Sequence, residues 1–347
     1  MRVVLICDTH FGVKNDSPLF LDSFLSFFED TFFPYLEANN IKTVIHLGDL
    51  LDRRKYVNYY TLCQVRERFL NYFDVNNIDL HCILGNHDTF YRNTSKINSM
   101  TELFSHYKNI KIYSEPITLT FDGFDIGLVP WINEANAKLS IAYLEDAAPS
   151  VVMGHFEING FQVIAGVNHL HGLEPSLFRK FDAVYSGHFH IKQSDKNISY
   201  LGAPYQITFS DAHDVKGFHV FDTEDQSMTF IPNTRKLFHV ITYDDKVGDP
   251  LVGLDVEQFR NCYVKIIVQN NTKPLTYDRY IDAIYSVSPV SVAFIEDVIE
   301  ISKEDIVDTT EDTISIINKE IDSMEEVDDK SRLKKIVLEL YMESLSV

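Results

Sequence analysis

Five short clusters of carboxylate, amide and imidazole side chains constrain this chain more than any bulk property. They are Asp8-Thr9-His10, Gly48-Asp49, Gly85-Asn86-His87-Asp88, Gly154-His155 and Gly187-His188-Phe189-His190. Each follows a short apolar run, at residues 3–7, 43–47, 80–84, 150–153 and 183–186, whose length and composition predict a strand. Residues 19–36, 59–73 and 99–107 carry helical spacing between the first of these runs. Strands alternating with helices predict an α/β sandwich. Open α/β sheets carry their sites just beyond the C-terminal ends of strands, so a sheet would gather clusters that span more than 180 residues of sequence.

The middle of the chain changes character. Residues 117–121 and 125–129 flank Asp122-Gly123, a strong hairpin signal. A helix is expected at 135–144, a strand at 198–201 and a second hairpin at 217–222 and 227–231. Ile231-Pro232-Asn233 then marks a boundary. The expected organisation is a domain at 1–232, a small α+β capping unit at 233–300, and an acidic linker with a helical tail at 301–347. In the tail, Leu333, Ile336, Val337, Leu340, Tyr341 and Leu345 form one apolar stripe at helical spacing. Such a stripe suits packing on its own domain or docking on a partner.

Net charge looks wrong for binding nucleic acid at −20, since affinity for a phosphate backbone comes largely from Lys and Arg. The charge is unevenly spread: residues 296–329 hold 14 acidic residues against Lys303 and Lys319, which is −12 of the −20. Bound divalent cations would invert the local field around clustered carboxylates. No run approaches 18 uncharged apolar residues, so neither a membrane span nor a signal peptide is expected. Scattered Cys7, Cys63, Cys82 and Cys262 give no disulfide framework and fit a reducing, cytoplasmic compartment.

The mixture of ligands has its own logic. Two divalent ions roughly 3.5–4 Å apart repel one another, and a carboxylate between them is an efficient bridge. Carboxylate, amide oxygen and imidazole together suit Mn, Fe or Zn better than Ca.

These clusters resemble the calcineurin-like metallophosphoesterase signature D-x-H, G-D, G-N-H-D, G-H and G-H-x-H. The whole chain is similar, more narrowly, to the SbcD-type recombination nucleases, including the nuclease subunits of large-phage recombination endonucleases. Leu201-Gly202-Ala203-Pro204-Tyr205-Gln206 resembles that family's G-[ST]-P segment, and a small domain with a tail follows. The resemblance implies a metallophosphoesterase β-sandwich flanked by helices, with Asp8, His10 and His190 on one metal, Asn86, His155 and His188 on a second, and Asp49 bridging. His87 matches the catalytic histidine that contacts the scissile phosphate without binding metal. The cofactors implied are two Mn²⁺ per chain, with Mg²⁺, Fe²⁺ or Zn²⁺ as substitutes. The reaction implied is in-line hydrolysis of DNA by water, in recombination, repair or replication, as exonuclease, endonuclease or both. The partners implied are DNA, a second copy of the chain and an SbcC-type coiled-coil ATPase.

Other residues near the clusters carry weaker signals. Asp88 suits orienting His87 or a loop backbone better than binding metal. Where some family members resemble G-D-x-[FL]-H, this chain has Asp52, and a carboxylate does not donate a proton at neutral pH unless its pKa is strongly raised. Arg53-Arg54-Lys55 is a basic triplet able to hold a nucleic-acid backbone, and Arg92 is a further candidate of the same kind. His169 and His171 are not expected to bind metal, since the resemblance completes both metal shells without them, and His171 suits a structural or substrate-facing role. Two other readings keep the same clusters: a phosphoesterase of this superfamily acting on small substrates or proteins, and a degenerate DNA-end-binding subunit.

Overall fold

The structure is a computed structural model that describes residues 1–146, 149–164 and 166–296, together with Ile321, Lys330, Leu333, Lys334 and Val337. Two six-stranded sheets form its centre. In the first, Arg2–Ile6, Thr43–His46, Asp79–Ile83 and Ile110–Tyr113 run parallel in that spatial order, and the hairpin Gly217–Asp222/Met228–Pro232 joins antiparallel beside Arg2–Ile6. The second orders Gln193–Asp195, Ile198–Tyr200, Ala183–Ser186, Val151–Gly154, Phe124–Val129 and Ile117–Phe121, its inner four strands parallel.

Alternation along the first strand explains the layering. Side chains of a strand point alternately to its two faces. Val3, Leu5 and Cys7 pack with Ile126, Leu128, Val151 and Met153 of the second sheet. Val4 and Ile6 face the other way, into a helical layer rich in phenylalanine. Both faces are buried from Val3 onward, which is why the strand is continuously apolar there rather than alternating.

That helical layer consists of two long segments, each interrupted once. Pro18–Phe27 and Phe33–Ala38 are joined by a π-turn at Phe28–Phe32, and Tyr59–Val65 and Asn71–Val75 by another at Arg66–Leu70. The two π-turns pack together, with Phe28 and Phe69 ring centroids 4.5 Å apart. Phe69 also meets Phe11, at 5.3 Å, one residue beyond His10. Each such ring contributes about 1.5–3 kcal/mol by burial, so the ligand-bearing loop is backed by a rigid aromatic mass.

The remaining chain forms a three-stranded parallel sheet, Phe238–Asp244, Tyr263–Asn270 and Ser291–Glu296, with the helix Pro274–Tyr285 crossing between its last two strands. It has its own core around Tyr243, Val264, Ile266, Tyr280 and Ile284. It also touches the main body: Phe238 and Tyr263 pack on Phe20, and Gln206 Oε1 accepts the Leu237 and Phe238 amides. Apart from Ile321, the acidic linker lies outside the described residues, as does most of the tail stripe; Leu333 and Val337 of the stripe are helical.

Candidate metal centre

Five loops meet at one edge of the sandwich, three from the first sheet and two from the second. The sandwich expected from the alternating strands and helices is present, and its two stacked sheets bring the loops together. Each loop begins where a strand ends: after Ile6, His46 and Ile83 in one sheet, and after Gly154 and Ser186 in the other.

The loops approach so closely that side chains are excluded where they cross. A Cβ on Gly48 would lie 2.6 Å from His155 Nδ1, and one on Gly85 would lie 2.1 Å from Asp49 Oδ1. Four of the candidate ligands themselves adopt left-handed backbone: Asp8 (φ 53°), His10 (φ 41°), Asp49 (φ 59°) and His188 (φ 89°). Such conformations cost on the order of 1 kcal/mol or more each and persist only where the surroundings enforce them.

Three groups of donors result, and Asp49 belongs to two of them, one of these with His10 and His87. Ligand atoms of Asp8, His10 and His190 lie within 4.8 Å of one another, and so do those of Asp49, His155 and His188. His10 Nε2 stands 3.0 Å from His190 Nε2 and 3.6 Å from Asp49 Oδ2. Across the site, His155 Nε2 and His188 Nδ1 each lie 2.9 Å from Asn86 Oδ1, and His155 Nε2 lies 3.4 Å from Asp49 Oδ2. All seven residues expected to hold metal are therefore brought to one place.

Outer contacts set which nitrogen faces inward. His155 Nδ1 donates to the Leu47 carbonyl at 2.7 Å, which leaves the Nε2 lone pair for the site. Glu157 Oε1 lies 3.6 Å from His188 Nε2, on the far side of that ring from Asn86. Asp52 Oδ1 is 3.3 Å from His10 Nδ1, and the Asp52 carbonyl accepts His87 Nδ1. His87 donates its amide to Asp49 Oδ1 at 2.7 Å, and its ring stands edge-on to His10, 4.8 Å away.

This donor set fits divalent cations. Two imidazole nitrogens 3.0 Å apart share at most one proton, and a cation between them satisfies both. Burial opposes charge on His10 and His155, yet Asp52 and Asp49 on the first, and Asp49 on the second, push both up to about 9. The carboxylates thus demand positive charge at positions where ligands would place it.

Several contributors were not legible as such in the sequence. Glu157 and Asp52 orient ligands from behind. Lys216 is buried against Asp211 at 2.7 Å and donates to the His190 carbonyl at 2.8 Å, fixing the last ligand loop. Tyr205 stacks on Phe24 and donates to the Thr9 carbonyl. The basic residues fare unequally. Arg53 is engaged by Asp16, Arg54 lies over Trp131, and Lys55 and Arg92 are exposed. His169 packs beside Phe189, and neither it nor His171 belongs to a metal-competent cluster among the described residues.

Comparison with known proteins is decisive for the family: residues 1–192 match the calcineurin-like phosphoesterases. The chain belongs to that family. Its centre is accordingly that of a metal-binding phosphoesterase, with paired His/Asp clusters of two-metal type. Within the calcineurin-like phosphoesterases the chain is homologous to nuclease subunits. It is 36% identical over 281 residues to exonuclease subunit 1 of Enterobacteria phage T4, covering 80% of this chain and 79% of that protein. The SbcD component of the SbcCD nuclease of Staphylococcus saprophyticus is 24% identical over 299 residues, covering 76% of this chain and 78% of the relative. Its counterpart in Staphylococcus epidermidis is 23% identical over 270 residues, covering 67% and 69%. No helix among the described residues is long and apolar enough to cross a membrane.

Proposed function

We propose that this chain is a manganese-dependent DNA nuclease of recombination and repair, the nuclease subunit of a complex with an SbcC-type ATPase. The observation that carries the reading is the convergence of Asp8, His10, Asp49, Asn86, His155, His188 and His190 on one edge of the sandwich in a chain homologous to nuclease subunits.

In this reading Asp8, His10 and His190 hold one ion, Asn86, His155 and His188 hold the other, and Asp49 serves both. When bound, the pair supplies positive charge to the phosphate and acidity to water, so that no side chain need act as general base. The chain's own residues do the rest. Asp52, Glu157 and the Leu47 carbonyl keep the imidazoles of His10, His188 and His155 turned to their ions. His87, held by its amide to Asp49 and by Nδ1 to the Asp52 carbonyl, presents its ring to the phosphate and stabilises the leaving oxygen.

A homodimer is part of the proposal. Tyr59, at the start of its helix, is 88% exposed, and it lines a groove of about 430 Å³ with Leu62, Arg66 and Tyr107. The partner ATPase would dock on the tail stripe at 333–345, and deleting residues 331–347 is expected to weaken co-purification with it.

The decisive experiment is cleavage of end-labelled single- and double-stranded DNA with Mn²⁺, Mg²⁺ or EDTA, beside the Asp49→Asn variant. Mn²⁺-dependent cutting lost by at least about a hundredfold in the variant is expected. Equal cutting by metal-replete Asp49→Asn would refute the assignment.

A further inference from the structure

The triplet Arg53-Arg54-Lys55 splits three ways. Arg53 is bound down, its Nη1 3.2 Å from Asp16 Oδ2, with further hydrogen bonds to Asn15 and Tyr56. Lys55 is exposed to solvent. Arg54 is held differently, although Arg53 Nε too is buried without a hydrogen-bond partner among the described residues. The guanidinium carbon of Arg54 lies 5.3 Å from the centroid of the Trp131 ring, and its Nη1 is buried with no hydrogen-bond partner among the described residues. A buried cationic donor without an acceptor is costly, so such a group calls for an outside reason.

The ring beneath Arg54 is tied to the metal centre. Trp131 Nε1 donates to Glu157 Oε1 at 3.1 Å, and that same oxygen lies 3.6 Å from His188 Nε2. The loop that carries Arg54 also carries Asp52, which touches His10 and His87. Arg54 is therefore linked to the ligand groups from two directions, along its own loop through Asp52 and across the indole through Trp131 and Glu157. Burial and the neighbouring charge of Arg92 both work against its positive charge. The carboxylates of Asp49, Glu157 and Asp88 favour that charge, so Arg54 lies within the field of the metal centre.

We propose that Arg54 is a phosphate clamp, which takes a non-bridging oxygen of the phosphate under attack while the Trp131 face serves as its rest. This deepens the phosphodiesterase reading and rests on it. Arginine suits the task better than lysine, since a planar guanidinium stacks on the indole and still presents an edge of N–H donors. Trp131 and Glu157 are then positioning residues, with Glu157 joining the clamp to the His188 ligand.

Trp131 is the only tryptophan in the chain, so the emission of the unlabelled protein reports on this contact directly. Orthophosphate titrated into the Mg²⁺-loaded full chain is expected to change that emission saturably. In Arg54→Ala the phosphate affinity, measured in parallel by calorimetry, falls about tenfold to a hundredfold, with Arg54→Lys between. Circular dichroism and Mg²⁺ affinity stay as in the wild type. Kinetics supply the second readout: a clamp on the attacked phosphate lowers kcat/KM by the same factor on bis(p-nitrophenyl) phosphate and on DNA. A wild-type chain without a saturable response, an Arg54→Ala variant with unchanged phosphate affinity, or a loss confined to DNA would each overturn the clamp. Failure of the wild type to cut DNA would instead sink the nuclease reading, while the phosphate titration still decides the role of Arg54.

Discussion

The Asp88 carboxylate is tied to the backbone of Asp49: its Oδ2 accepts the Asp49 amide at 2.8 Å. The same oxygen accepts the Gly85 amide at 2.8 Å, and Oδ1 accepts the Leu50 amide at 3.1 Å. One side chain thereby pins the loop that carries Asp49 to the loop that carries Asn86 and His87. Burial, with the charge of Asp49, pushes its carboxyl up to about 7.

Removing that carboxylate strands three buried amides. Asp88→Ala is expected to cost about 3 kcal/mol or more in urea unfolding, and to weaken divalent-ion binding in calorimetry. Asp88→Asn, which keeps one acceptor oxygen, costs less.

In the proposed reading His87 meets the phosphate without binding metal, although its ring lies within ligand reach of His10 and Asp49. His87→Asn is expected to lower the rate of phosphodiester hydrolysis by about 10²–10⁴-fold. Calorimetric titration with Mn²⁺ should return the same stoichiometry and affinity as the wild type, which separates a role on the phosphate from a role as ligand.

Asp52 and Glu157 act through the imidazoles they face. Asp52→Asn and Glu157→Gln are each expected to weaken ion binding by about tenfold to a hundredfold, with unfolding midpoints in chelator unchanged. Atomic absorption after dialysis against graded chelator measures the effect.

Acid sensitivity has a contributor remote from the centre. His81 is buried, with Nδ1 2.9 Å from Tyr113 Oη, and burial, helped by Lys111, depresses its pKa to about 4. The unfolded chain takes up this proton near pH 6.5, so His81 costs nothing above that value and destabilises the fold progressively as pH falls towards 4. His81→Phe should remove about 2 kcal/mol of the stability lost between pH 7 and pH 4.5, read from urea midpoints at the two values.

The ligand clusters were legible because metal chemistry narrows the choice of side chain, and the glycines beside them mark where loops must cross. Gly48 and Gly85 have no room for a Cβ, and that shows in the sequence as plainly as Asp49 does. The strands were legible for a related reason, since residues buried on both faces leave continuous apolar runs. What escaped depends on meetings between distant segments. Glu157 looks like any acidic loop residue until Trp131 and His188 are placed beside it. Arg53 and Arg54 are adjacent and chemically identical, and only the left-handed turn bearing Asn15 and Asp16 tells them apart. The π-turns at 28–32 and 66–70 were hidden because one extra residue in a phenylalanine-rich run leaves the helical pattern intact.

The place of the first strand has a consequence for the order of events in the cell. Arg2–Ile6 lies between Thr43–His46 and Gly217–Asp222, and His10 meets His190 across 180 residues of sequence. A ribosome delivers the opening ligands long before their counterparts exist. The emerging chain carries half a centre on a strand still missing its neighbour. Hydrolytic power therefore arrives abruptly, once residue 190 and the Gly217–Asp222 strand have been made, and no shorter stretch of the chain carries a whole centre.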